Sequence, residues 1–481
     1  MASVKTQQLT VILKNRQTKI DTVTTRLLTT ILVLLLFKQV SLAQTQNKAD
    51  TVGLFLDFPL VDFPYQRYAA NTTGNYFSGY ANPSMQQSLA MSNNLYSSAH
   101  YGIKKIVKTK NEFLRILFSN GIAAGFDAFT FYSPLGYGWL HEEYHRAVMT
   151  RREINSFNDM NTFPFGQTTV SVRKIKDEDL IRISDNHKSD FIRLQTAGLE
   201  GEYHQIQTLQ KNNFFYNQDL PHIPLYWLST MTNIIYVNQS GSAEYFDKLI
   251  DEVNQSEGSD ISKRDFTGPD FTAWTSALFN PNRPYEDRGI HPSGLGINRY
   301  IKPSALNGEE LKYLQRQGNL QWLNLLSPHL FGFPKIKLKS TEKGDYFGSF
   351  AVRHLLTSFG NDISLDIFYQ TPKNNFFIAL HNYNNFNSTF FGLEGAIIDK
   401  PFLNKKLLVS GRSLIWTQPK NQSFTINEAS LGGMLNIKGS YSLGRWFPYI
   451  EVEAKTRGWV MGNVFLEDNI SLRFGVNVRI K

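Results

Sequence analysis

Five consecutive residues, His141-Glu142-Glu143-Tyr144-His145, are the stretch of this chain best suited to chemistry. Two histidines four positions apart share one face of a helix, where both rings can reach a single zinc ion. The acid that follows the first then lies beside the metal. Zinc lowers the pKa of a bound water from about 16 towards 7, so Glu142 can accept its proton as the water attacks a peptide carbonyl and later pass it to the departing amine. Two imidazoles do not complete such a site. A third protein ligand is required, with one position left open for water.

The segment Ala197-Gly198-Leu199-Glu200-Gly201-Glu202-Tyr203-His204, on a helix expected over 188–211, offers that ligand. Glu200 shares a side of this helix with Ala197 and Gly201, small residues that admit a second helix closely. Glu202 falls on the stripe of Ile192, Leu199 and Ile206, where an unpaired carboxylate is costly to bury and a metal would account for it. His204, one turn after Glu200, is a third candidate or an outer hydrogen-bond partner. An oxyanion donor could come from Tyr203, His204 or Tyr137. The plain alternative has no metal, with both histidines satisfied by Asp127, tyrosine and backbone partners.

HEEYH and Leu199-Glu200-Gly201 together resemble the gluzincin group of zinc metallopeptidases, in which a Glu on a following helix, often in a Glu-Gly pair, is the third ligand. The resemblance implies a zincin-like α-rich domain, a Zn2+ cofactor, a peptide or protein substrate, and Glu200 as the closing ligand. Read from the residues alone, Glu200 and Glu202 both stay open.

The elements around the motif follow from periodicity. A helix is expected from about Gly138 to Arg152, with Tyr144 and Val148 on the histidine side and Glu143 and Arg146 on the opposite, wet side. Glu112 to Leu140 is strongly apolar but interrupted by Asp127, glycines and Pro134, which predicts a buried helix followed by a loop. Residues 83–106 show helical spacing, and residues 44–82 read as an irregular arm on the surface. Thr168–Lys174 and Leu180–Ser184 form an expected hairpin across KIKDED. Residues 212–340 alternate short helices, such as 309–326, with loops; His222, His291 and His329 each adjoin proline and read as loop histidines.

From about Tyr346 the period changes to two. Ile470, Leu472, Phe474, Val476, Val478 and Ile480 alternate with Ser471, Arg473, Gly475, Asn477 and Arg479. Tight turns such as Thr371-Pro372-Lys373-Asn374 separate about eight to ten strands of roughly ten residues, the pattern of an outer-membrane meander or barrel; a soluble antiparallel barrel or sandwich is the alternative. The expected fold is therefore α+β: an α-rich domain at 44–340 carrying the HExxH helix, then an antiparallel β domain at 341–481.

Composition narrows the partners. The chain has 481 residues and no cysteine, so a metal must be held by histidine and carboxylates. Of the net charge of +9, residues 1–43 carry +5, from six basic residues and Asp21. The basic residues beyond are scattered, which argues against a nucleic-acid surface. Residues 1–43 read as a secretory signal, with the apolar run Leu27–Phe37 and the small-x-small site Ser41-Leu42-Ala43. A retained anchor helix is the alternative. Both place the protein outside the cytoplasm, in the outer membrane or periplasm of a Gram-negative-type envelope. The leading expectation is zinc-dependent peptide hydrolysis. The other is a non-enzymatic outer-membrane protein whose helices plug or cap a β-barrel.

Overall fold

The computed structural model describes residues 52–74, 81–162 and 171–481, so the expected leader at 1–43 lies outside the described residues. The layout is α+β, with an N-terminal helical region and a C-terminal antiparallel sheet. Six helices matter for the site: α1 (Met85–Ile106), α2 (Glu112–Thr130), α3 (Tyr137–Arg151), α4 (Ala197–Tyr216), α5 (Ile223–Ser240) and α6 (Asp270–Phe279). Their starts are written locally. Ser84 and Gln87 form a reciprocal capping box on α1, and Asn111 caps α2 through the Leu114 amide. Gly136 precedes α3 at a point where a Cβ would collide with the Thr130 carbonyl oxygen, so the chain can turn tightly from α2 into α3 only with glycine there.

The sheet has ten strands: β1 (Leu54–Phe63), β2 (Ile336–Thr341), β3 (Gly344–Thr357), β4 (Gly360–Gln370), β5 (Asn375–Asn384), β6 (Thr389–Phe402), β7 (Leu407–Pro419), β8 (Ala429–Tyr441), β9 (Trp446–Lys455) and β10 (Asn469–Ile480). Strands β2 to β10 form a meander and β1 joins it beside β10, giving the order β1-β10-β9-β8-β7-β6-β5-β4-β3-β2. Part of the arm expected to be irregular is thus a strand, and Tyr65–Thr73 is a helix.

The sheet is not closed strand to strand, since β1 and β2 do not pair. Helical segments instead bond to β1 at one end and to the part of β3 beyond β2 at the other. The Asn94 side chain of α1 accepts from the Asp57 amide at 3.0 Å and donates to the Asp57 carbonyl at 2.6 Å, as a neighbouring strand would. Gln87 donates to the Pro59 carbonyl at 3.2 Å. On the other edge, above the short β2, the Val352 amide donates to Leu326 O and the His354 amide to Asn324 Oδ1, each at 2.9 Å. A barrel expected from periodicity alone is here an open sheet with helical elements hydrogen-bonded near both ends of the strand order.

The outward face of this sheet is apolar across neighbouring strands. Leu365, Leu380, Leu393 and Ile415 are successive cross-strand neighbours on β4 to β7, and all four are exposed. The inward positions hold buried ion pairs: Arg353–Asp366 at 2.6 Å, Arg412–Glu394 at 2.7 Å, and Arg473 with Asp62, Glu451 and Glu453 at 3.1, 2.6 and 3.3 Å. Helix α4 runs from the β9–β10 connection onto this inner face. Near its start Glu200 meets Trp459 and Gly462; in its middle Gln207 and Gln210 meet Asp366 and Arg353; at its end the Tyr216 hydroxyl donates to Asp399 at 2.6 Å. Twenty residues at 1.5 Å each span about 30 Å.

Three further expectations differ from what is observed. The hairpin is absent among the described residues: Asp177–Asn186 is helical, and Val172–Arg173 pairs with Phe157–Asn158. Asp177, Glu178 and Asp179 suit a helix start better than a β-turn, because acids there oppose the helix dipole. The helix expected over 188–211 breaks at Gln195–Thr196 into Lys188–Leu194 and α4. Finally, α2 is a helix but not a buried one; it turns Phe118, Ile122 and Phe129 outward.

Candidate metal centre

Helix α3 is buried on every side, from Tyr137 to Thr150. Glu143 and Arg146, expected in water, are 1% and 4% exposed. Their burial is possible because they satisfy each other: Arg146 Nη1 lies 2.7 Å from both Glu143 oxygens, and Asn158 donates to Glu143 at 2.8 Å. A helix enclosed all round has no wet face, and amphipathic spacing could not reveal this.

On the other side of α3 the rings of His141 and His145 stand 4.8 Å apart between centroids. Asp270, the first residue of α6, faces both, with Oδ2 at 3.3 Å from His141 Nε2 and 3.8 Å from His145 Nε2. One ligand-type atom from each of the three lies within 4.8 Å of the other two, and all three residues are buried. This group can hold a metal ion. Both rings are oriented from behind: His141 Nδ1 meets Glu202 Oε1 at 2.8 Å and His145 Nδ1 meets the Leu194 carbonyl at 2.5 Å. With each Nδ1 facing an acceptor, each ring turns its Nε2 towards Asp270. The Tyr236 hydroxyl in turn holds Asp270, donating to Oδ2 and accepting from its backbone amide, each at 3.1 Å. Two imidazole nitrogens and one carboxylate form a donor set that suits zinc.

The 197–204 segment divides among several tasks. Glu200 is fully engaged away from the histidines, accepting from Arg193 Nη2 at 2.7 Å, the Gly462 amide at 2.7 Å and Trp459 Nε1 at 3.3 Å. Glu202 reaches His141 from the Nδ1 side, opposite Asp270. The Tyr203 hydroxyl donates to Gln321 at 2.8 Å, and His204 Nδ1 pairs with the Tyr144 hydroxyl at 2.9 Å. The Tyr137 hydroxyl meets Asn233 at 2.8 Å. Asp127 serves a different histidine, His100, at 2.8 Å. The small residues do admit a second helix: a Cβ at Gly201 would lie 2.7 Å from the Tyr144 ring, and one at Gly198 would overlap the ring of His141. Glycine at 198 therefore allows α4 to press against the histidine and Glu202 to reach its Nδ1.

Asp270 was not legible as a ligand. It follows Gly268-Pro269 and opens the helix FTAWTSALF, where an acid reads equally well as an ordinary first-turn residue.

Charge is arranged unevenly in the site. Burial resists charge on His141, but Glu202 and Asp270, backed by Glu142, raise its pKa well above the usual value. Burial, aided by His141 and opposed by Asp270, lowers His145 to about 4, so this ring is neutral and ready to ligate. Burial lifts the Glu142 carboxyl well above the usual range; Asp265, Asp270 and Asp159 add to the rise and His141 offsets part of it. A raised proton affinity beside the His141 and Asp270 charges suits a general base.

No protein-family model, curated protein or solved structure matches this chain.

Proposed function

We propose that this chain is a zinc-dependent hydrolase of peptide bonds, exported and anchored in an outer membrane of Gram-negative type by the outward face of its sheet. The single observation that carries the hydrolytic reading is the convergence of His141, His145 and Asp270 beside a buried Glu142. His141, His145 and Asp270 would hold the ion, and Glu202 and Leu194 O would fix the two rings. A zinc ion there supplies Lewis acidity and lowers the pKa of adjoining water. Glu142 takes the proton from a water that attacks the carbonyl carbon, then delivers it to the amine as the C–N bond breaks. The zincin-like assignment of the helical region belongs to this proposal, with Asp270 in the ligand place first expected of Glu200 or Glu202.

The membrane part rests on polarity and length. Apart from β2, the strands run for 10 to 14 residues, enough to cross a hydrocarbon layer at a tilt, and large apolar side chains face outward on neighbouring strands.

A second reading keeps the membrane and drops the chemistry: α4 fills the inner face of the sheet, as a plug would. Zinc content and casein cleavage of the Glu142→Gln variant separate the two. The hydrolase retains zinc and loses turnover; a protein with neither zinc nor cleavage in its native form is the plug.

A further inference from the structure

We propose that the lipid-facing surface extends beyond the strands: helix α2 lies in the gap between β1 and β2 with its outer stripe against lipid acyl chains. This rests on the membrane reading above and adds a helical section to the wall. The first support is that α2 is built inside out. Its polar residues Ser119, Asn120, Asp127 and Thr130 are buried, whereas Leu114, Phe118, Ile122 and Phe129 are 36%, 51%, 51% and 72% exposed. A surface helix of a water-soluble protein has the opposite arrangement, and the sheet shares this inversion.

The second support is charge. From Ile116 to Phe129 the one ionisable residue is Asp127, which is turned inward and hydrogen-bonded to His100 at 2.8 Å. About 21 Å of helix therefore presents no charge to its surroundings. Exposed Lys105, Lys108 and Lys110 precede it, and Arg115 stands in its first turn, where long basic side chains suit a headgroup boundary.

The third is position. Around the molecule, β1 is capped by α1, α1 packs on α2, and the first turns of α2 share a cavity with Pro334 and Lys335, which lead directly into β2. Trp322 and Leu326, beside the β3 edge, are exposed as well. An unpaired strand edge is not tolerated in hydrocarbon, but a helix satisfies its own backbone and can stand in the wall. Among the described residues no helix is long and apolar enough to cross a membrane unaided, so α2 belongs there only as part of this surface.

The absence of cysteine makes the test direct. Single cysteines at Phe118 and Ile122 on α2, at Leu393 and Leu435 on the sheet, and at Lys343 in the β2–β3 turn are nitroxide-labelled, and the full chain is reconstituted in phospholipid vesicles. Collision with dissolved oxygen and with a water-soluble nickel chelate is then measured by EPR. The proposal expects the α2 positions to behave like Leu393 and Leu435, oxygen-accessible with loss of chelate contact, and Lys343 to behave oppositely. If Phe118 and Ile122 meet the chelate while the sheet positions do not, the helical section is refuted and the membrane reading stands. If the sheet positions meet the chelate too, both fall. All four apolar positions are exposed, so the substitutions leave the packed interior intact.

Discussion

On α3, Trp139, Leu140 and Val148 are packed inward, as in any water-soluble core. On β8, Leu435 and Ile437 are 55% and 51% exposed, while Asn436 between them is buried against Glu451 and Glu453. One chain thus follows two opposite rules. Where helix meets helix, apolar groups are removed from water, and acids such as Glu143, Glu200 and Glu202 are held by Arg146, Arg193 and His141. On the sheet, the outward positions are apolar, while the side towards α4 mixes ion pairs with buried aromatics such as Phe368, Phe377 and Trp416. Alternation identifies a two-faced strand but is silent on which face is turned inward; that depends on what covers each side, and here the inner side meets Gln207, Gln210, Phe214 and Phe215 of α4.

The comparison can be broken at either region, beginning with the largest effect. In the helical region, Glu142→Gln is expected to lower peptide turnover by about 10²–10⁴-fold with zinc retained; unchanged kcat would remove the general base. Inside the sheet, Arg473→Met leaves Asp62, Glu451 and Glu453 without their shared cation, at a cost of about 3–5 kcal/mol in denaturant titration. A neutral result would mean that the inner network is not as described. On the outer face, Leu435→Arg is expected to cost about 2–4 kcal/mol in a bilayer, whereas a charge reversal at Lys343 in the turn should cost almost nothing. Equal, negligible costs would point to a soluble sheet. Behind the metal group, Glu202→Gln should weaken zinc binding by about 10–100-fold without abolishing it; complete loss would promote Glu202 from orienting His141 to ligating the metal.

What could be read from the residues follows the same division. The helix at 137–151 and the strand at 469–480 were legible, because His141/His145 spacing and strict alternation are local signals. The capping of β1 by Asn94 was not, since the amide and the strand it imitates are 37 positions apart. The choice between Glu200 and Glu202 depended on contacts from distant segments: Arg193 and the 459–462 loop claim the first, His141 the second. Asp270 comes 125 positions after His145 in the numbering, and nothing in its neighbourhood marks it out. Glu143 and Arg146 read as a wet pair because a charged pair on a helix usually is; their burial depends on each other and on Ala81, Asn82, Ser156 and Asn158 of the facing segments.

Zinc stoichiometry of the purified full chain decides whether His141, His145 and Asp270 hold one divalent cation. About one zinc per chain is expected, lost in Asp270→Ala and in His141→Ala, and kept in Glu200→Gln. Zinc unchanged in the Asp270 variant, or lost in the Glu200 variant while the protein remains folded, would contradict this.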